Sequence, residues 1–286
     1  IVTGAGAGLG RSHALAFAER GAKVLVNDFG GAVDGSGASS AVAEKVAEEI
    51  RAAGGQAISH GADVSNAEQV TDMVSQAMAQ WGRVDALVNN AGILRDASFA
   101  KMELNDFRKV LEVHVMGSVI CSKAVWQIMR EQNYGRILMT TSSSGLYGNF
   151  GQSNYGAAKM AVIGLMNVLQ LEGEKNNIRV NALAPGAATR MTESLLPPGV
   201  SELMKPEAVT PAALFLVSED APRRTILCAT AGGFSRTLIH ETEGVFIAES
   251  DAVRDKWQIR GPYCETWPIH HAIGDETHRT VGQPLR

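Results

Sequence analysis

Ile1-Val2-Thr3-Gly4-Ala5-Gly6-Ala7-Gly8-Leu9-Gly10 opens the chain, and its reading decides the fold. Three β-branched residues lead into a run with glycine at every second position, and a helical pattern follows from about Arg11. Glycines between a strand and a helix let the backbone turn tightly and approach a pyrophosphate, whose charge the free N–H groups and the positive helix end stabilise. The strand ahead of the loop is short and no initiator Met is present, so the front of that strand is expected to be trimmed away.

Outward from this loop, apolar β-branched stretches alternate with longer helical ones. The strands are expected at Ile1–Thr3, Lys23–Asn27, Gln56–His60, Val84–Asn89, Arg136–Thr141, Arg179–Ala184 and Thr225–Thr230. Such alternation makes repeated βαβ units and a parallel sheet. Ser65 with Glu68 three residues on reads as a capping box, and Gly54-Gly55 and Gly82 read as helix stops. The expected fold class is therefore α/β: a Rossmann-like three-layer fold with a doubly wound parallel sheet. It forms a single domain over 1–237, including a substrate loop at 190–205. Around Leu238 the rhythm fails, and 238–286, punctuated by Pro262, Pro268 and Pro284, is expected to be an irregular C-terminal extension.

The second strand ends in Asp28, twenty residues beyond Gly8. A carboxylate there accepts from adenosine ribose hydroxyls and repels an extra phosphate, which favours NAD over NADP. The other reading is that Asp28 caps the glycine-rich loop from Phe29 to Ser40. Tyr155 and Lys159 stand four apart in a helical segment, Ser153–Glu172, and so share a face. A nearby ammonium favours the ionised phenol, which can then act as a base towards an alcohol. Ser142 lies thirteen residues before Tyr155 at a strand's carboxyl end, where open α/β sheets build their sites. Ser143 and Ser144 are its rivals.

Taken together, Thr3-Gly4-x-x-x-Gly8-x-Gly10, Asn89-Asn90-Ala91-Gly92, the Ser142/Tyr155/Lys159 spacing and Pro185-Gly186 resemble the short-chain dehydrogenase/reductase superfamily over roughly the first 235 residues. The resemblance implies Ser142, Tyr155 and Lys159 as catalytic residues. It implies cofactor contacts at Gly4, Gly8, Leu9, Gly10, Asp28, Asp63, Val64, Asn90, Ala91, Gly92, Pro185, Gly186 and Thr189, with Tyr155 and Lys159 also touching the cofactor. Asp63 would lie near the adenine, with a helix-entry cap as its plainer role; Asn89 and Asn90 could equally form a turn.

A narrower similarity is carried by Val26-Asn27-Asp28-Phe29-Gly30-Gly31, the glycine-rich insertion after it, and Tyr147–Tyr155. These resemble the (3R)-hydroxyacyl-CoA dehydrogenase domain of the type 2 multifunctional enzymes and its bacterial relatives, which implies NAD-dependent oxidation of a (3R)-3-hydroxyacyl-CoA to the 3-ketoacyl-CoA. Val113-His114-Val115 fits that branch. His114 is either a proton carrier or a buried structural histidine. The alternatives are a dehydrogenase of steroids or other alcohols, a 3-oxoacyl thioester reductase, and a nucleotide-sensing protein without chemistry.

Composition narrows the partners. With 45% hydrophobic residues, 20% charged residues and a net charge of −4, nothing suggests disorder or a basic surface for nucleic acid. No apolar run approaches the ~18 residues of a membrane span. Cys121, Cys228 and Cys264 show no pairing pattern, so a reduced, cytoplasmic setting is expected. His270-His271 and His278 lack metal-site spacing and read as a solvated tail, so no metal is expected. The apolar stretch Met160–Leu171 covers more than one helix face, which suggests a homo-oligomer, dimer or tetramer, or else burial in the subunit core.

Overall fold

A computed structural model describes residues 1–189 and 200–241. Eight strands form one sheet in the order β3-β2-β1-β4-β5-β6-β7-β8. They are β1 (Val2–Thr3), β2 (Lys23–Asn27), β3 (Gln56–His60), β4 (Ala86–Asn89), β5 (Gly135–Thr140), β6 (Ile178–Gly186), β7 (Ile226–Thr230) and β8 (Gly233–Thr237). All neighbours are parallel except β7 and β8. Val2 pairs with Val26 on one side and Val88 on the other. The strand order therefore reverses beside β1, and a crevice opens at the carboxyl ends there.

Helices cover both faces, which is why the central strands are apolar almost throughout rather than alternating. One face packs beneath α1 (Gly8–Glu19), α2 (Ala41–Ala52) and α9 (Thr210–Leu216), with Val24, Val26, Leu138 and Leu183 in its core. The other packs beneath α3 (Ala67–Trp81), α4 (Leu104–Leu111), α5 (Gly117–Gln132) and α7 (Ser153–Gly173), around Leu25, Leu87, Ile137 and Val180. Short α6 (Ser143–Tyr147) and α8 (Val200–Leu203) complete the α-helices among the described residues. Between α4 and α5 the chain widens into one π-turn, Glu112–Met116. The three-layer doubly wound architecture matches the expectation from sequence.

Three local readings are corrected. The cap of α3 is Asn66, whose side chain accepts from the amides of Glu68 and Gln69; Ser65 instead donates to Asp63. The helix after the first strand begins at Gly8, within the glycine run, rather than near Arg11. The sheet also gains β8, an exposed edge strand with no apolar alternation. It is recruited by a two-residue turn: Ala231 and Gly232 both have positive φ, 48° and 79°, the geometry that joins antiparallel strands tightly. Gly82, at φ 73°, does end α3. Residues 190–199 of the expected substrate loop and 242–286 of the extension, with its histidines and prolines, lie outside the described residues.

Candidate active site

The glycine run forms a close-packed cradle. At Gly4 (φ 63°) a Cβ would strike Ala91 Cα at 2.7 Å, and at Gly10 it would come within 2.2 Å of the Gly4 carbonyl oxygen. Asn90 clamps the turn from β4, its Nδ2 donating to the carbonyls of Thr3 and Gly4 at 3.0 Å each. α1 then starts at Gly8 with no side-chain cap and no acid in its first turn. Its leading amides are thus left for an anion.

Asp28, at the end of β2, joins this cradle to the next loop. Its Oδ2 accepts from the Gly6 amide and its Oδ1 from the Gly30 amide, both at 2.7 Å. The loop-capping role is therefore real, and each oxygen keeps acceptor capacity towards the cleft it lines.

That cleft encloses about 480 Å³. Of the residues expected to bind a cofactor, Gly4, Gly8, Leu9, Asp28, Asp63, Val64, Asn90, Ala91, Gly92 and Thr189 line it. Asp63 also accepts from the amide and hydroxyl of Ser65, so it lines the cleft and shapes the helix entry at once. Gly10 packs behind the loop instead, and Gly186 lies against Thr230, where a Cβ would meet the hydroxyl at 2.3 Å. Pro185 precedes it on β6 and does not line the cleft.

Ser142, Tyr155 and Lys159 do not line that cleft; Tyr155 is joined to its wall at Gly92 through the His114 ring, 5.2 Å from the phenol ring. Ser142 caps α6, just past β5, its hydroxyl accepting from the Ser144 amide at 3.2 Å. Lys159, one turn after Tyr155 on α7, places Nζ 5.4 Å from the phenol ring centroid and donates to the Thr140 carbonyl at 2.7 Å. A side chain at Gly145 would collide with Lys159, at 2.8 Å, so α6 and α7 close on each other there.

Burial dominates the electrostatics. It pushes the Tyr155 phenol up to about 12, against a downward pull from Ser142 and with a smaller upward push from Asp96. It brings Lys159 down to about 7. Among the protein groups around it, burial is the largest influence on the phenol.

His114 sits between Gly92 of the cleft wall and Tyr155. It is 3% exposed, with Nε2 2.8 Å from the Ile93 carbonyl oxygen, and its ring meets Tyr155 edge-on at 5.2 Å. Burial, then the Lys159 charge, holds its pKa well below the ordinary value. It fills the space left by Gly92, where a Cβ would hit its ring at 2.3 Å, and its Nδ1 is buried without a hydrogen-bond partner.

Several lining residues escaped the reading from sequence. Lys109 and Val113, four apart across the end of α4, face the cleft, as do Phe29, Val33 and Gly35 of the glycine-rich loop. The Lys109/Val113 spacing was available as a signal. Nothing in composition marks the loop as folding over the cleft. The apolar α7 divides: Val162, Ile163 and Met166 are core, whereas Val168 and Leu171 are 52% and 65% exposed.

Comparison with known proteins follows the same geometry. The short chain dehydrogenase family profile matches residues 1–198. Peroxisomal multifunctional enzyme A of Dictyostelium discoideum is 48% identical over 90% of this chain, and peroxisomal multifunctional enzyme type 2 of Mus musculus is 47% identical over 90%. The chain spans 58% and 36% of those two proteins. Among solved structures, a short chain dehydrogenase from Mycobacterium avium superposes with a TM-score of 0.76 at 37% identity, covering 87% of each chain. A 7α-hydroxysteroid dehydrogenase complexed with NADH and 7-oxo glycochenodeoxycholic acid superposes with a TM-score of 0.72 at 31% identity, covering 81% of this chain and 92% of that one.

Proposed function

The chain belongs to the short chain dehydrogenase family, an oxidoreductase acting on CH–OH donors, and on that premise we propose that it oxidises a (3R)-3-hydroxyacyl-CoA to the 3-ketoacyl-CoA with NAD. The observation that carries the reading is the Tyr155 phenol, one turn from buried Lys159 and joined through the His114 ring to Gly92 on the wall of the glycine-cradle cleft. The thioester substrate is supported by the resemblance of Val26–Gly31 and Tyr147–Tyr155 to the hydroxyacyl-CoA branch and by similarity to the peroxisomal multifunctional enzymes.

The residues fit a dinucleotide. The uncapped start of α1 and the turn at Gly8 (φ 53°) leave room and amides for a pyrophosphate. Asp28 accepts from ribose hydroxyls and disfavours a further phosphate. Bound there, the nicotinamide supplies the hydride acceptor. In the protein, Ser142 holds the substrate oxygen by its hydroxyl, and ionised Tyr155 takes the hydroxyl proton as the carbinol hydrogen departs with its electron pair and C=O forms. Lys159 in its charged form favours the phenolate and offers its remaining donors to a ribose.

The direct test is NADH formation with NAD or NADP across (3R)- and (3S)-3-hydroxyacyl-CoA, a hydroxysteroid and a simple secondary alcohol. Selective NAD turnover of the (3R) thioester establishes the reading. A hydroxysteroid preference would favour the second reading, which the NADH-bound hydroxysteroid dehydrogenase supports, and would leave the mechanism intact. Among the described residues no helix is long and apolar enough to cross a membrane. Placement in the cytoplasm, and assembly as a homodimer or homotetramer, belong to the same proposal.

A further inference from the structure

We propose that Arg95 is a positioning residue that locks the nucleotide end of the cleft to the helix carrying Tyr155; this rests on the function proposed above. Arg95 lies between β4 and α4, where three parts of the molecule meet. Its Nε donates to the Asp34 carbonyl at 2.8 Å in the glycine-rich loop, and its Nη1 donates to Asp106 Oδ1 at 2.7 Å on α4. The adjoining Leu94 amide donates to the Val33 carbonyl at 2.9 Å. Backbone and side chain therefore grip the same loop.

The other side of Arg95 reaches α7. Its carbonyl accepts from Asn154 Nδ2 at 2.8 Å, and Asn154 Oδ1 accepts from the Tyr155 amide at 2.7 Å. Asn154 is fully buried, so no water substitutes for these bonds. The neighbours repeat the pattern: Gln152 Nε2 donates to Asp96 Oδ2 at 2.7 Å, and the Ala97 amide to the Gly151 carbonyl at 2.9 Å.

The loop needs such a tie. Gly30, Gly35 and Gly37 all hold positive φ, so the loop gives up much backbone entropy when ordered. Yet Phe29, Val33 and Gly35 form a wall of the cleft. A guanidinium presents Nε and Nη in a rigid fork and can satisfy two acceptors on separate elements, which an ammonium on a flexible stem cannot do with the same geometry. Ordering the loop around a nucleotide and holding the first turn of α7 thus pass through one residue.

The test uses hydrogen exchange and NADH fluorescence titration on the full chain, both independent of turnover, with kcat and KM alongside. Arg95→Met is expected to weaken NADH about tenfold, the loss of a charge-assisted hydrogen bond, to lower kcat, and to speed exchange in segments 30–40 and 152–160 together. Arg95→Lys keeps the charge and is expected to behave like Arg95→Met. Faster exchange in the loop alone, a uniform rise across the domain, unchanged NADH affinity, or restoration by lysine would overturn the proposal. Should the wild-type protein bind NADH yet leave hydroxyacyl-CoA untouched, the substrate reading falls while the exchange result still decides the role of Arg95.

Discussion

Tyr155 is held protonated at neutral pH by burial, up to about 12, and Ser142 supplies the main pull the other way. Alcohol oxidation needs the phenolate, so its rate is expected to rise with pH. Removing the hydroxyl in Ser142→Ala takes away that downward pull, lets the phenol rise further, and moves the rising limb to higher pH, with kcat down about 10²-fold. A pH–rate profile checks this, and a limb that stays in place would show that Ser142 does not tune the phenol. At Asp28, whose carboxylate both lines the cleft and holds the Gly6 and Gly30 amides, Asp28→Ala is expected to lower kcat/KM with NAD by about tenfold or more. NADP is expected to lose much less, and an unchanged NAD/NADP ratio would remove this acid from the cofactor choice. The spacing of Tyr155, Lys159 and Ser142 made these residues legible, since one helix and one strand end carry all three. Arg95 and Asn154 were not legible, because their contacts join residues about sixty positions apart through backbone carbonyls that no side-chain pattern encodes.

At the scale of elements, the joint between α1 and α9 supports the glycine cradle from behind. Ser12 and His13 both meet the Thr210 hydroxyl, at 2.7 and 2.9 Å. Burial brings His13 down to about 4 from an ordinary 6.5. Between those values the unfolded chain takes up a proton that the native protein refuses, so stability falls as pH drops from 6.5 towards 4, by about 3 kcal/mol. His13→Gln is expected to flatten that dependence in thermal or urea unfolding across the window; the same slope in the variant would assign the acid sensitivity elsewhere. Element types were readable because buried parallel strands are apolar almost throughout and helices between them carry their own period. Their ends were less so: Asn66 rather than Ser65 caps α3, since local hydrogen-bonding competition among neighbouring polar residues decides a cap. β8 stayed hidden because it buries almost nothing and is held by turn geometry, edge pairing and the hydrogen bonds of the Thr237 hydroxyl with Tyr147 and Cys228.

For the whole molecule, the doubly wound sheet brings the glycine cradle, Asp28 and the Tyr155 helix to one end of the strands, although they are spread over more than 150 residues of sequence. On the outer side, exposed Val168 and Leu171 on α7 are expected to lie in a subunit interface. Sedimentation should show a dimer or tetramer that Val168→Glu/Leu171→Glu dissociates, and an assembly unaffected by those charges would place the interface on another face. The most direct test of the central claim compares wild type with Tyr155→Phe for NADH formation from NAD and a (3R)-3-hydroxyacyl-CoA, with NADH binding measured in parallel. Loss of at least about 10³-fold in turnover with NADH affinity preserved is the expected result; a phenylalanine variant that still turns over near the wild-type rate would contradict the account.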